Sequence, residues 1–500
     1  MGFSGTRKGG KDYVLVLDEG TTGTKAFVFD EKLNIVSRGY QELTLYSTSD
    51  GRAELDSEEI FLKSVEVCRD AIRNAGIGAD QIACMGIDAQ RSTMVVWEKD
   101  TGKPYERAIS WQDTRVGFMT ERLQRDGMLD FVFRNLGRSV ARCSLFLVKW
   151  MCENIEGFHQ RLVKGDLLYG SVDTWLVYRL TGGRSYRTSI DHAALNGMAD
   201  IHHFALPEKL FDYLELPVAQ LPEVKDNADF YGVTEKSLFG AEIPITGVIA
   251  DQHASLFAQR VIHPGDCKCT NGTGAFIDLS IGHQSRLPTL SHSILLTWRL
   301  RGAPSYVAEC YAMTTGTFQR WLKKLFGLKS YREIDELAAS APDSQDVLVL
   351  PVLFGLIHPK RDSGMRGMIL GLSESCGREH IMRATLEGIA FLIRYISSAM
   401  AKDLGIEIND MRIDGGLASS DIFCDILASV VRHDLKRPSV VELTALGAAE
   451  IAGMQKGLWD ESAFDSLRQL RVFSPQLEAA RRYEKQFDAW RSALERAATV

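Results

Sequence analysis

Tyr13-Val14-Leu15-Val16-Leu17-Asp18-Glu19-Gly20-Thr21-Thr22-Gly23-Thr24-Lys25-Ala26-Phe27-Val28-Phe29 is the segment on which the fold turns. Residues 13–17 form an apolar run of strand length. The polar stretch 18–25 interrupts it, and a second apolar run, 26–29, follows at once. This order predicts a β-hairpin with a Gly- and Thr-rich tip. Asn34 marks a further turn, and residues 35–40 supply a third strand. Beyond it, Phe61, Val65, Cys68 and Ile72 are spaced 4, 3 and 4 and share one helical face. A helix over 56–75 is therefore expected, with Asp56 and Glu59 in a capping arrangement and Gly76 as its stop. Residues 82–87 read as a buried strand ending at Asp88-Ala89-Gln90-Arg91-Ser92.

Further along, strands and helices alternate, with residues 167–172 leading into Asp173-Thr174-Trp175. About 250 residues after the first hairpin, Gly272-Thr273-Gly274-Ala275-Phe276-Ile277-Asp278 repeats its tip in shortened form. A Gly/Thr turn running into an apolar strand, met twice, suggests two halves built alike. A chain of 500 residues also exceeds one compact core, so two domains are expected. We place them at 1–254 and 255–500.

The totals narrow the class. Apolar residues make up 45% and charged residues 25%, ordinary for a globular chain, and the net charge is −7. Nucleic acid and anionic membranes both call for a basic field, so neither is expected as a partner. Nine scattered cysteines show no zinc spacing, and no apolar run has the length of a signal peptide or membrane span. A reduced, cytoplasmic chain is expected.

Five constellations carry chemistry. In the first, Gly20, Thr21, Thr22 and Lys25 follow the carboxylate of Asp18. Glycines let the backbone approach phosphate oxygens, hydroxyls add donors, and a strand-end carboxylate can hold Mg²⁺. A plain hairpin turn has the same composition, and the Walker ordering is missing. The second is Asp251-Gln252 after the apolar run 245–249. An Asp there suits proton abstraction from a hydroxyl, or simply the capping of a helix over 254–259. The third is Gly272, Thr273 and Gly274, a second candidate phosphate turn. The fourth is Asp414-Gly415-Gly416-Leu417-Ala418-Ser419-Ser420, set between a short strand and a helix over 421–431. The fifth is Gln90-Arg91 with Trp111-Gln112-Asp113, a fork of donors beside an apolar ring face.

In this order, together with Trp111-Gln112-x-x-Arg115, Asp173-Thr174-Trp175 and Thr444-Ala445-Leu446-Gly447-Ala448-Ala449, the motifs resemble the FGGY family of carbohydrate kinases. The glycerol kinase branch is the most similar. Val95-Val96-Trp97-Glu98-Lys99 and Arg383-Ala384-Thr385-Leu386-Glu387-Gly388 strengthen that likeness. The resemblance implies an α/β fold of two actin-like (ribonuclease H-like) ATPase domains with a central cleft. It also implies transfer of phosphate from ATP to a small polyol or sugar, and assembly as a homo-oligomer. By the same resemblance Asp18 serves Mg²⁺, while Thr21, Thr22, Lys25, Thr273 and Gly274 contact phosphate. Gly316, Gly416 and Ser420 lie near the nucleotide, Asp251 is the general base, and Arg91, Gln252 and Phe276 line the substrate pocket.

Three departures bear on the substrate. Glycerol kinases carry Glu after the Gln-Arg pair, where this chain has Ser92; Arg142 stands where they supply a tyrosine; and Asp113, two residues after Trp111, is closer to the pentulose kinases. A roomier, less anionic pocket is expected, suited to a tetritol, a pentitol or a ketose. The stretch 238–244 is also shorter than the bisphosphate-effector loop of some bacterial glycerol kinases and lacks its Arg, so no such inhibition is expected. A non-catalytic actin-like ATP-binding protein is the main alternative. A polyol dehydrogenase is disfavoured because the first turn leads into a strand and lacks Gly-x-Gly-x-x-Gly.

Overall fold

The computed structural model describes residues 12–138, 143–461, 464 and 469–497. The chain packs into two compact units that alternate along the sequence. The first comprises Met1–Ala258, Leu295–Ser305 and Glu442–Leu467; the second comprises Gln259–Ile294, Tyr306–Val441 and Arg468–Val500. A single division at 254/255 thus leaves out two returns of the chain to the first unit. The second return contains the helix Leu443–Lys456, whose buried residues pack on the first unit's sheet.

The expected hairpin is present. Tyr13–Glu19 pairs antiparallel with Gly23–Phe29, which pairs antiparallel with Ile35–Glu42. On its other side Tyr13–Glu19 runs parallel to Ile82–Ala89, which runs parallel to Pro244–Ala250. Gly232–Val233 closes this six-stranded sheet. The first two hairpin strands are buried almost throughout, as their unbroken apolar runs require. The helix Ser57–Asn74 covers one face with Phe61, Val65, Cys68 and Ile72 inward, and the Asp56 carboxylate accepts from the Glu58 and Glu59 amides. Trp97 and Trp175, ring centroids 5.2 Å apart, lie fully buried in the same core.

The second unit repeats the pattern. Asp266–Asn271 pairs antiparallel with Ala275–Gly282, and that strand with Ala303–Ala312. Parallel to Asp266–Asn271 runs Asp410–Asp414, followed by Leu435–Pro438. Three antiparallel strands followed by two parallel ones occur in the same sequence order in both sheets, which explains the echo between residues 20–30 and 272–278. All nine cysteines are free thiols. Among the described residues, no helix is long and apolar enough to cross a membrane.

Candidate active site

Parallel neighbours place their carboxyl-terminal ends on one edge of a sheet, and ligands of α/β sheets bind at such edges. In the first unit, Glu19 is in register with Ala89, and Ala89 with Ala250. Three segments far apart in sequence therefore emerge side by side: the 20–23 turn, Gln90-Arg91-Ser92 and Asp251-Gln252.

The turn is closed by the Gly20 amide donating to the Gly23 carbonyl, at 3.1 Å. The Gln90 side-chain amide donates to the Gly20 carbonyl at 3.2 Å, and the Trp111 indole N–H donates to the Thr21 hydroxyl at 2.8 Å. Trp111 and the turn, expected at separate tasks, are thus physically joined. Thr22 at the tip is exposed. Lys25 lies opposite Asp18 in the hairpin; its ammonium is 3.5 Å from the Asp18 carboxylate and 3.0 Å from that of Glu442. Burial opposes the lysine's charge, but Asp18 and Glu442 outweigh it and hold its pKa above the ordinary value.

Asp18 is 6% exposed, and Thr444 donates to its Oδ2 at 3.3 Å. Burial raises its carboxyl above the usual range, with Lys25 working against the shift. Beside it, in register on the parallel strand, stands Asp88, fully buried, its carboxyl hydrogen-bonded to that of Asp18. Burial and the Asp18 charge push the Asp88 carboxyl well upward. The residue-by-residue reading missed Asp88. It looked like a strand end, and only register shows that it faces Asp18.

Asp251 is the first residue of the helix Asp251–Ala258, three positions earlier than the sequence suggests. Its Oδ1 accepts from the adjacent Gln252 amide at 2.7 Å, and the Arg91 guanidinium lies 4.0 Å away. Behind it Asp191 accepts from the Ala250 amide at 2.9 Å and contacts the His253 ring at 2.9 Å, fixing both flanks of Asp251. Burial would raise Asp191, but the His253 hydrogen bond and the nearby His192 and His253 charges outweigh it and bring its pKa down to about 2.

Ser92 is buried, with φ of +61°, and accepts from Arg138 at 2.9 Å. Arg138 also donates to the Leu195 carbonyl at 2.7 Å. The space expected beside Ser92 therefore has a guanidinium next to it, a contact no spacing rule announces. Arg142 lies outside the described residues. Asp113 is not available to a ligand. Its carboxylate takes three bonds from Arg115, two from the guanidinium at 2.8 and 2.7 Å and one from the amide at 2.9 Å, and one from the Ala53 amide at 2.8 Å.

In the second unit the ends of Asp266–Asn271 and Asp410–Asp414 bring together the Gly272-Thr273-Gly274 turn and Gly415-Gly416. The Gly316 amide donates to the Gly272 carbonyl at 3.2 Å where the helix Gly316–Leu325 begins. A Cβ on Gly316 would lie 2.4 Å from that carbonyl, whereas Gly416 has open space around it. Gly415, at φ +86°, presses on the Asn271 backbone. Ser420 caps the helix Asp421–Val431 by accepting from the Phe423 amide, and donates to Asp335 at 2.8 Å. Phe276 belongs to this unit, its ring 5.7 Å from that of Tyr311. A cavity of about 450 Å³ lined by Pro342, Arg383, Asp425 and Tyr483 includes none of the expected site residues.

The family model of the N-terminal domain of the FGGY carbohydrate kinases matches residues 13–258, and that of the C-terminal domain matches residues 267–455. Glycerol kinase 2 of Thermotoga maritima is 38% identical over 490 residues, covering 97% of this chain and 98% of the relative. A glycerol kinase of Natranaerobius thermophilus is 34% identical over 493 residues, covering 97% and 98%. The crystal structure of Plasmodium falciparum glycerol kinase with ADP superposes with a TM-score of 0.92 at 28% identity, covering 98% of this chain and 99% of that one. A ligand-bound xylulose kinase from Lactobacillus acidophilus shares the fold, with a TM-score of 0.88 at 21% identity over 97% and 98% of the two chains. Nothing in these matches supports a non-catalytic ATP-binding protein. The chain belongs to the FGGY family of carbohydrate kinases, ATP-dependent phosphotransferases that act on an alcohol group of a small polyol or sugar.

Proposed function

We propose that this kinase phosphorylates a hydroxyl of a polyol longer than glycerol, a tetritol or pentitol, or of a ketose, with Asp251 as its general base. The observation that carries this reading is the placement of Asp251. Its carboxylate is part-exposed at a sheet edge, fixed on both flanks through Asp191, and accompanied by Arg91 and the Gly/Thr turn. A hydroxyl attacking phosphorus must shed its proton, and a fixed carboxylate within reach accepts it. Arg91, Gln252 and Trp111 orient the substrate. The backbone of Thr21 and Thr22, in the turn that Gly20 closes, and Lys25 offer donors to phosphate, and in the second unit Gly272, Thr273, Gly274, Gly316, Gly416 and Ser420 hold the nucleotide. The open space at Gly416 and the close fit of Gly316 on Gly272 suit that task.

Asp18 also fits a divalent cation, being a nearly buried carboxylate at the same edge. Bound Mg²⁺ would screen charge on the phosphates. Among the described residues no three His, Cys, Asp or Glu side chains are grouped to hold a metal, so a cation would complete its shell from phosphate and water.

Ser92 with Arg138 supports a substrate other than glycerol. A guanidinium only donates, so this wall favours additional hydroxyl or carbonyl oxygens. ADP release with Mg-ATP across glycerol, erythritol, threitol, ribitol, xylitol, xylulose and ribulose tests the reading. The expected result is turnover of one of the longer compounds. The relatives are named for glycerol, and the highest kcat/KM on glycerol would overturn the pocket argument. The free cysteines support a reducing compartment, and we place the chain in the cytoplasm as a homo-oligomer without sugar-bisphosphate inhibition.

A further inference from the structure

We propose that Asn227 is a positioning residue for the general base: through Asp191 and Val248 it fixes where the Asp251 carboxylate stands, and it takes its own place from the returning segment 295–305. The inference rests on the reading of Asp251 as base, but its evidence is separate. Asn227 is fully buried, and its side chain is hydrogen-bonded at both ends. The amide nitrogen donates to Asp191 Oδ1 at 2.7 Å and to the Val248 carbonyl at 3.0 Å. The amide oxygen accepts from the Arg299 backbone N–H at 2.9 Å. The main chain repeats two of these ties. The Val248 amide donates to the Asn227 carbonyl at 3.0 Å, and the Asn227 amide to the Arg299 carbonyl at 3.1 Å.

Val248 lies on the strand Pro244–Ala250, which delivers Asp251. Asp191 brackets the base, its Oδ2 meeting the Ala250 amide on one side and His253 Nδ1 on the other, both at 2.9 Å. Its Oδ1 receives the Ser189 hydroxyl at 2.5 Å and Asn227. Asn227 thus joins the strand before Asp251 to the carboxylate behind it. The far side is anchored as well: Asp226 pairs with the Arg299 guanidinium and accepts from the Gly302 amide at 2.8 Å. Donating twice and accepting once is the work of an amide. An Asp of the same size would turn an acceptor toward the Asp191 carboxylate and the Val248 carbonyl. Misplacing a reacting group by about 1 Å can cost about 10²-fold in rate, so a buried residue behind the site can control kcat. The competing arrangement is Asn227 as a plain core stitch, whose loss weakens the fold without acting through Asp251.

The test is a double-substitution cycle on the full chain, with Asn227→Asp, Asp251→Ala and the two together. kcat is read as ADP release with Mg-ATP and the panel compound that wild type turns over fastest, per ADP-binding site counted by titration. Asn227→Asp is expected to lower kcat about tenfold or more, with KM for both substrates within a few-fold. Added to Asp251→Ala, it should cost less than about twofold more, because the group it positions is already gone. Losses that multiply, or a kcat per site for Asn227→Asp within about twofold of wild type, overturn the proposal. If Asn227→Asp does not fold, Asn227→Ser enters the same cycle. Asp251→Ala is read by itself first. An unchanged kcat there removes the general base and this proposal with it, whereas a large loss there beside an unimpaired Asn227→Asp enzyme overturns this proposal alone.

Discussion

Asp251 tests the mechanism most directly. Replacing it with Ala removes the proton acceptor but leaves the sheet edge and the second unit's turn in place. The expected loss of kcat is about 10²–10⁴-fold, with ATP affinity within a few-fold of wild type by equilibrium titration. Parallel loss of nucleotide binding would assign Asp251 to structure instead. Ser92 tests the substrate. Ser92→Glu places a carboxylate beside Arg138 and restores an acceptor for short polyols. A hydrogen bond to a charged group contributes about 1.5–3 kcal/mol, so the kcat/KM ratio of glycerol to longer polyols should rise about tenfold or more. An unchanged ratio would remove Ser92 from the specificity argument. Asp251, Asp18 and Arg91 were legible in the sequence because each follows an apolar strand. Arg138, Asp88 and Asp191 were not. Their importance comes from a neighbour many residues away.

The helix Leu443–Lys456 shows what a motif of small residues does. Sequence reading offered Thr444-Ala445-Leu446-Gly447-Ala448-Ala449 only as a family mark. In the structure its buried face lies tight on the first unit. A Cβ on Gly447 would sit 2.0 Å from the Ala254 carbonyl, and one on Gly86 2.5 Å from the Ala448 carbonyl. This close approach brings Thr444 to Asp18. Overpacking typically costs about 1–3 kcal/mol, so Gly447→Ala should lower the melting temperature by several degrees and weaken turnover through Asp18. A melting curve matching wild type would show that the helix can shift without penalty. Capping was legible at this level, as Asp56 shows. The start of the helix at Asp251 was not, because Asp-Gln-His has no strong helical signature and packing decides where the turn begins.

Stability of the whole molecule should depend on pH through groups that never touch substrate. Glu19 is fully buried; burial raises its pKa to about 8, Ser64 being a hydrogen-bond partner that works against the shift. Its carboxyl in the unfolded chain titrates near 4.5. Between these values the folded state binds more protons, so stability falls as pH rises from about 4.5 to 8. One pKa unit corresponds to about 1.4 kcal/mol, so the window spans a few kcal/mol. Glu19→Gln should melt higher than wild type at pH 8 and nearly equal to it at pH 5. Asp191 acts at the other limb with opposite sign. Its depressed pKa contributes stability that is present above about 3.8 and lost as pH falls toward 2. Asp191→Asn should flatten that acid limb in pH-dependent unfolding, and an unaltered limb would show that Asp191 does not titrate there.

The hairpin, its echo in the second half and the strand-end carboxylates follow from apolar runs broken by Gly, Thr and Asp, because burial and turn geometry are local demands that a linear sequence displays. The alternation of the chain between its two units, the pairing of Asp88 with Asp18 and the seating of Arg138 on Ser92 were decided by tertiary structure alone. Register across parallel strands and contacts between distant segments depend on where the chain returns, and residue spacing carries no record of that.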